Sequence, residues 1–195
     1  MVGGEALDDP GVVVGIEAHF RHVAAAAELP VMLYDIPIRT GRKIETDTLL
    51  RCVAEIPEVW AVKDAAGDPA AAARLIADAP EGFELYCGDD ALTLPLLSVG
   101  AVGTISVASH WVGLELGELF DAFVSGDVER ARAVNARLLD SYDFESSAEA
   151  PNPIPTKVML AELGLDVGQC RLPLGPPPPG LAEQARKVLA GLGRG

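Results

Sequence analysis

Four short apolar segments recur along the chain, and a helical pattern fills each interval between them. They end at Tyr34, Lys63, Cys87 and Val107. Successive ends are 29, 24 and 20 residues apart. Strand, helix and strand at this spacing form right-handed βαβ crossovers, so we expect a parallel sheet. Functional residues in such sheets lie mainly at the carboxyl ends of the strands. The residues that end these segments are therefore the first candidates for a functional site.

The second apolar segment ends in a lysine. Residues Val59–Gly67 read VWAVKDAAG, which places Lys63 at the end of an apolar strand. Burial disfavours the charged form of a lysine, and its uncharged amine can act as a nucleophile near neutral pH. Lys63 is therefore a candidate Schiff-base lysine. On this segment alone, a lysine that leaves the strand for water is the simpler interpretation.

Two further side chains are expected at the same rim. Tyr34 ends the strand before Lys63, so neighbouring parallel strands would place its phenol beside the amine. A phenol there can relay protons while the amine condenses with a ketone, loses water and forms an enamine. Arg39 lies in the loop after Tyr34, where a guanidinium can hold a substrate carboxylate through two hydrogen bonds. Taken singly, Tyr34 would be a core aromatic and Arg39 a member of a surface ion pair.

The composition narrows the range of partners. The formal net charge of -14 argues against binding to nucleic acid or to an anionic membrane surface. No apolar run approaches the ~20 residues needed to span a bilayer. Cys52, Cys87 and Cys170 are far apart and lack the spacing of metal ligands, which fits a reducing cytosol better than disulfides or zinc. We therefore expect a cytoplasmic protein.

The remaining segments predict how the chain is divided. Residues 1–14 are small, acidic and interrupted by glycine and proline, and we expect an irregular leader there. The next segment, residues 15–28, predicts an amphipathic helix. Its expected buried face consists of Ile16, Phe20, Val23 and Ala27. Residues 15–126 would then form the βα part and residues 127–195 a C-terminal helical domain.

Five motifs occur in an order and at a spacing that are specific for one family. They are YDIPIRTG at 34–41, AVKDAAG at 61–67, YCGDD at 86–90, GTISV at 103–107 and PNPIPTK at 151–157. Together they resemble the class I pyruvate-dependent aldolases, the family of dihydrodipicolinate synthase and N-acetylneuraminate lyase. The resemblance runs from about residue 15 to the end. It implies an α/β fold, a partial TIM (β/α)8 barrel made of strands five to eight, with a C-terminal α-helical extension.

The resemblance also implies an activity and roles for four residues. It implies an enzyme that binds pyruvate as an imine and condenses it with aspartate semialdehyde in lysine biosynthesis, without a cofactor and as a homo-oligomer, a tetramer in the family. Lys63 matches the imine-forming lysine and Tyr34 the proton-relay tyrosine. Arg39 matches the arginine at the site entrance that favours an aldehyde bearing a carboxylate. Ile105 matches the residue whose backbone contacts pyruvate.

The chain departs from the family in its length. A (β/α)8 barrel needs roughly 250 residues, whereas this sequence offers four barrel strands. The family's early threonine pair, the tyrosine that crosses its dimer interface and most of its allosteric lysine pocket have no counterpart. We therefore expect an N-terminally truncated enzyme whose isolated chain has weak or no synthase activity.

Three alternatives remain at this point. The first is an N-acetylneuraminate or 2-keto-3-deoxy-sugar-acid lyase, and the second is an inactive remnant that acts only in oligomerisation. The third is a metal-dependent enzyme that uses Asp89, Asp90 and a histidine. The Gly-Asp-Asp turn is more simply a cap for the helix that follows it.

Overall fold

The computed structural model describes residues 10–194, and its centre is a parallel sheet. The strands are β1 (Val31–Asp35), β2 (Val59–Asp64), β3 (Glu84–Cys87) and β4 (Gly103–Thr104). They pair in chain order, each parallel to the next, which confirms the predicted βαβ arrangement. The fourth strand has two residues and is shorter than the GTISV segment suggested.

Helices separate the strands and make up the C-terminal part. They are α1 (Pro10–Ala27), α2 (Pro37–Thr40), α3 (Thr46–Glu55), α4 (Pro69–Asp78), α5 (Thr93–Ser98), α6 (Ser109–Val124), α7 (Val128–Phe144), α8 (Ile154–Glu162) and α9 (Leu181–Gly191), with a 3-10 turn at Asp90–Leu92. None of the helices in the described part of the chain combines the length and the apolarity needed to cross a membrane.

The two faces of the sheet differ in what covers them. Leu33, Val62 and Leu85 are register partners, and all three are almost completely buried in the apolar core that α3 and α4 help to form. Side chains alternate between the faces of a strand, so the residues one position further along point the other way. Tyr34, on this other face, is 41% exposed. The sheet is therefore packed on one face and open on the other.

Helix α1 differs from the expectation in two respects. It begins at Pro10, so residues 10–14 are helical and not an irregular leader, while residues 1–9 lie outside the described part of the chain. Ile16 and Phe20 pack on the core as expected, but the third inward residue is Ala24, which is fully buried. Val23 is exposed instead. The inward residues of α1 are thus spaced four apart, and not alternately three and four apart as the sequence pattern suggested.

The segment after β1 is also more regular than expected. Residues predicted as a loop form the short helix α2, which begins with Pro37 and ends at Gly41 with a φ of 73°. Proline suits the first position of a helix, and glycine suits the left-handed conformation that ends one. Arg39 therefore lies on a helical turn at the carboxyl end of β1.

The chain divides into two compact units, one ending at Ile105 and the next beginning at Ser106. We expected this division between residues 126 and 127. Helix α6 packs on α7 and α8, so it belongs to the helical unit rather than to the βα unit. The helical unit thus contains four helices in the described residues.

The start of α7 offers a test of the helical unit. The Asp127 carboxylate accepts a hydrogen bond from the Arg130 backbone N–H at 3.0 Å, which is the capping arrangement. We expect Asp127→Ala to lower the free energy of unfolding by about 1 kcal/mol, because an orphan N–H of the first turn loses its partner. Urea denaturation measures the change. Asp127→Asn keeps a capping oxygen and serves as the control; equal losses in both variants would contradict this assignment.

Candidate active site

One row of side chains crosses the open face of the sheet near its carboxyl edge. Its register partners are Tyr34, Lys63, Tyr86 and Gly103. The Lys63 ammonium nitrogen lies 4.2 Å from the centroid of the Tyr34 ring. A cation at this distance over an aromatic face is attracted by the ring's quadrupole. The structure therefore brings the two predicted catalytic side chains into direct contact.

Two glycines leave the space that this row needs. A Cβ atom on Gly88 would lie 2.9 Å from both Cγ and Cε of Lys63. A Cβ on Gly103 would lie 3.1 Å from the ring of Tyr86. Both distances are shorter than ordinary carbon contacts. The stem of Lys63 therefore passes close to the backbone at Gly88, and a side chain at that position would have to displace it.

The sequence interpretation did not identify two aromatic residues on this face. The rings of Trp60 and Tyr86 meet edge to face with centroids 6.1 Å apart. Trp60 is an extra residue in β2, because Val31 pairs with Val59 whereas Met32 pairs with Ala61. Strict alternation would place Trp60 on the face opposite Lys63, and this bulge reverses it. Hydrophobic periodicity contains no signal for such a bulge.

A hydrogen bond fixes the polar end of Tyr86. Its hydroxyl donates to the Glu84 carboxylate at 2.5 Å, and this bond raises the pKa of Tyr86. The phenol of Tyr86 thus stays protonated and engaged with its neighbour. Of the two tyrosines in the row, Tyr34 is the one whose ring contacts the lysine.

Each of the two predicted catalytic residues is followed by a buried aspartate. Asp35 and Asp64 are register partners on the packed face and are 2% and 8% exposed. The Asp35 carboxylate accepts from the Ile44 N–H at 3.1 Å, and the Asp64 carboxylate accepts from the Ala66 N–H at 2.9 Å. Burial raises the pKa of Asp35 to about 6, and burial also raises the pKa of Asp64. Both carboxylates thus lie on the face of the sheet opposite the Tyr34 and Lys63 side chains.

The two predicted substrate-binding residues share the carboxyl edge with the row. Arg39 lies in the last turn of α2, directly after β1. Ile105 follows β4, and its backbone N–H donates to the Cys87 carbonyl oxygen at 2.8 Å. This hydrogen bond extends the β3–β4 pairing by one residue and holds Ile105 at the rim.

The Gly-Asp-Asp turn performs the structural role expected of it. The Asp89 carboxylate accepts from the Ala91 N–H at 3.2 Å and caps the 3-10 turn. Between residues 10 and 194 there is no group of three His, Cys, Asp or Glu side chains that could hold a metal ion.

Comparison with known sequences gives a consistent picture. The model of the dihydrodipicolinate synthetase family matches residues 11–190. The 4-hydroxy-tetrahydrodipicolinate synthase of Bacillus subtilis (strain 168) is 44% identical over 176 residues, which make up 90% of this chain and 59% of that protein. The enzyme of the same name from Thermosynechococcus vestitus is 44% identical over 180 residues, 92% of this chain and 60% of that protein. The chain thus spans about 60% of the length of these curated relatives.

Solved structures agree with this similarity. Dihydrodipicolinate synthase from Cyanidioschyzon merolae, determined with lysine bound, superposes with a TM-score of 0.87 at 40% identity and covers 93% of this chain and 61% of that one. The synthase from Aquifex aeolicus gives a TM-score of 0.87 at 32% identity, with the same coverage. These relatives are TIM barrels, so the expected fold class of a partial TIM barrel with a C-terminal helical extension is confirmed.

The buried aspartates generate a prediction for the pH dependence of stability. The pKa of Asp35 rises from its ordinary 3.8 to about 6, so between these values the folded chain holds a proton that the unfolded chain has released. The free energy of unfolding therefore falls as pH rises through this window, by about 3 kcal/mol for this group. Asp35→Asn removes this pH-dependent loss. Between about pH 4 and pH 7, the free energy of unfolding of the variant should therefore rise by about 3 kcal/mol relative to that of the wild type. Urea denaturation across this range measures it.

An aspartate with the opposite shift provides the control. The hydrogen bond from the Ala71 N–H and the contact with Lys43 lower the pKa of Asp68. The ionised Asp68 carboxylate therefore stabilises the fold at pH values above its unfolded pKa. This stabilisation is lost as pH falls through the folded pKa. Asp68→Asn, which keeps a capping oxygen for α4, should lose stability relative to the wild type as pH rises. The same sign of pH dependence in both variants would contradict the opposite pKa shifts of Asp35 and Asp68.

Proposed function

Because this chain belongs to the dihydrodipicolinate synthetase family, we propose that Lys63 forms a Schiff base with pyruvate, which then condenses with aspartate semialdehyde as in 4-hydroxy-tetrahydrodipicolinate synthase. The observation that carries the proposal is the contact between the Lys63 amine and the Tyr34 ring, at 4.2 Å on the open face of the sheet. A keto acid that reaches this face meets the amine and the phenol together.

The chemistry follows from these two groups. The uncharged amine of Lys63 attacks the carbonyl carbon of pyruvate, and the resulting carbinolamine loses water to form an iminium ion. Loss of a proton from the methyl carbon then gives an enamine, whose carbon attacks the aldehyde. The Tyr34 hydroxyl relays protons in these steps. Its ring also favours a positively charged nitrogen, and the iminium nitrogen remains such a cation.

Arg39 and Ile105 would orient the substrates. The guanidinium of Arg39, at the rim, would bind the carboxylate of aspartate semialdehyde through paired hydrogen bonds. The Ile105 N–H already donates to Cys87. A backbone contact from Ile105 would therefore use its carbonyl oxygen, which would accept a hydrogen bond from the hydroxyl of the carbinolamine formed from pyruvate.

The setting of the reaction follows from the same resemblance. We place it in the cytoplasm, in lysine biosynthesis, with a homo-oligomer as the active form and a tetramer as its expected size. Sedimentation velocity measures the size. Product analysis with aspartate semialdehyde and with sugar aldehydes distinguishes a synthase from a sugar-acid lyase. Of these aldehydes, only aspartate semialdehyde combines a short chain with a carboxylate that Arg39 can bind.

The imine can be trapped. We expect incubation with pyruvate and borohydride to give a stable adduct, which peptide mass spectrometry locates on Lys63, because the reduced imine no longer hydrolyses. Lys63→Arg keeps a positive charge beside Tyr34 but cannot form the imine, so it should show no adduct. Lys187→Arg replaces an exposed lysine of α9 and should label like the wild type. Labelling spread evenly over all lysines, or none at all, would refute the proposal.

The contact with Gly88 predicts a second effect on trapping. In Gly88→Ala the new methyl group would lie 2.9 Å from the lysine stem and displace the amine. We expect the rate of adduct formation to fall about tenfold or more, since small misplacements of a reacting group are costly. Gly15→Ala is the matched control, because a Cβ at Gly15 meets nothing within 4 Å. Unchanged trapping in Gly88→Ala would show that this contact does not direct the amine.

A further inference from the structure

The rim segment, residues 36–45, carries Arg39, and several hydrogen bonds within the segment contribute to its form. The Arg39 N–H donates to the Ile36 carbonyl at 2.9 Å, and the Gly41 N–H donates to the Pro37 carbonyl at 2.8 Å. The Thr40 hydroxyl donates to the Arg42 carbonyl at 2.8 Å. These bonds set the form of the turn, but they do not fix where the turn lies relative to the sheet.

One side chain ties both ends of the rim segment together. Asp35 is the last residue of β1, directly before the segment, and its carboxylate accepts the N–H of Ile44 near the segment's other end at 3.1 Å. Ile44 is itself buried in the apolar core, and Asp35 is 2% exposed. A carboxylate acceptor shielded from water makes a stronger hydrogen bond than a neutral one. Asp35 thus closes the segment into a ring anchored on β1.

A second tie connects the rim segment to the next loop. The Lys43 ammonium donates to one carboxylate oxygen of Asp68 at 3.0 Å, while the other oxygen caps α4 through the Ala71 N–H. The Lys43 side chain is 25% exposed, so water screens this pair only in part. The rim segment is therefore held both to β1 and to the start of α4.

We propose that Asp35 is a positioning residue, which holds the rim segment so that Arg39 meets the carboxylate of the aldehyde substrate. This inference rests on the proposed function for the roles of Lys63 and Arg39. Asp35 lies on the packed face, opposite the amine, so it acts through the rim segment and not on the imine. Its loss therefore weakens the use of the aldehyde and spares the reaction of pyruvate with Lys63.

The neighbouring strand provides a matched control. Asp64 is the register partner of Asp35, lies on the same packed face and also accepts a backbone N–H, but from Ala66 in the loop after β2. Removal of either carboxylate costs the chain a buried acceptor. Of these two carboxylates, only that of Asp35 accepts from the rim segment, so only its removal breaks the tie between this segment and β1.

Hydrogen exchange of single amides tests the tie without reference to activity. In the wild type we expect the Ile44 amide to exchange at least about tenfold more slowly than in an unfolded peptide. Asp35→Ala should accelerate this amide about tenfold or more and leave the Val62 and Leu85 amides of the sheet unchanged. Asp35→Asn keeps an acceptor oxygen and should restore the protection. Asp64→Ala should leave the Ile44 amide protected.

Trapping measures the consequence for the aldehyde. With pyruvate alone, Asp35→Ala should form the Lys63 adduct at the wild-type rate. When aspartate semialdehyde is added before borohydride, the trapped mass changes to that of the condensed product. The aldehyde concentration that gives half of this change should rise about tenfold in Asp35→Ala and return toward the wild-type value in Asp35→Asn.

The outcomes separate this proposal from the proposed function. A missing pyruvate adduct in the wild type would refute the proposed function, and Ile44 exchange would still decide whether Asp35 holds the rim segment. An unprotected Ile44 amide in the wild type would overturn the positioning role, even if Asp35→Ala failed to fold. Equal acceleration of Ile44, Val62 and Leu85 in Asp35→Ala, or an unchanged aldehyde requirement, would overturn it as well.

Discussion

The register between β1 and β2 is the constraint on which the rest of this structure depends. It places Tyr34 beside Lys63 on the open face and Asp35 beside Asp64 on the packed face. Because side chains alternate along a strand, two consecutive residues on each strand point to opposite faces of the sheet. A shift of one residue in either strand would bury the lysine among the helices and expose a carboxylate in its place. The apolar row of Leu33, Val62 and Leu85 prevents that shift, since it would lose its core contacts.

The buried carboxylates of Asp35 and Asp64 lower the stability of the fold, but they hold the loops that follow their strands in place. Burial of Asp35 raises its pKa to about 6, which means that its ionised form at neutral pH is held at a cost in free energy. In return, Asp35 and Asp64 each accept a backbone N–H from the loop that follows their strand. The loops at the carboxyl edge are therefore attached to the rigid sheet by side chains, and not only by the covalent chain. An arginine on such a loop can act on a substrate with a defined position.

The βαβ repeat and the pairing of Tyr34 with Lys63 could be predicted from the sequence, because both depend on the spacing of residues along the chain. Apolar segments separated by helical patterns determine a parallel sheet, and residues that end neighbouring strands must meet. The position of Trp60 could not be predicted, because a bulge depends on how β2 pairs with β1 and not on β2 alone. The placement of α6 depends likewise on its packing against α7 and α8. The tie between Asp35 and Ile44 joins residues nine apart, a distance at which neither helix nor strand periodicity gives information.

Exposure of the open face separates two stages of the proposed chemistry. In the proposed mechanism, imine formation would draw on the Lys63 amine, the Tyr34 side chain and the space above Gly88, and β1, β2 and the turn after β3 supply all three. An iminium ion is hydrolysed by water, and Tyr34 remains 41% exposed on this face. Condensation must therefore compete with hydrolysis unless something excludes water from the row. The local geometry thus governs whether the covalent intermediate forms, and whatever covers the open face governs how often that intermediate goes on to product.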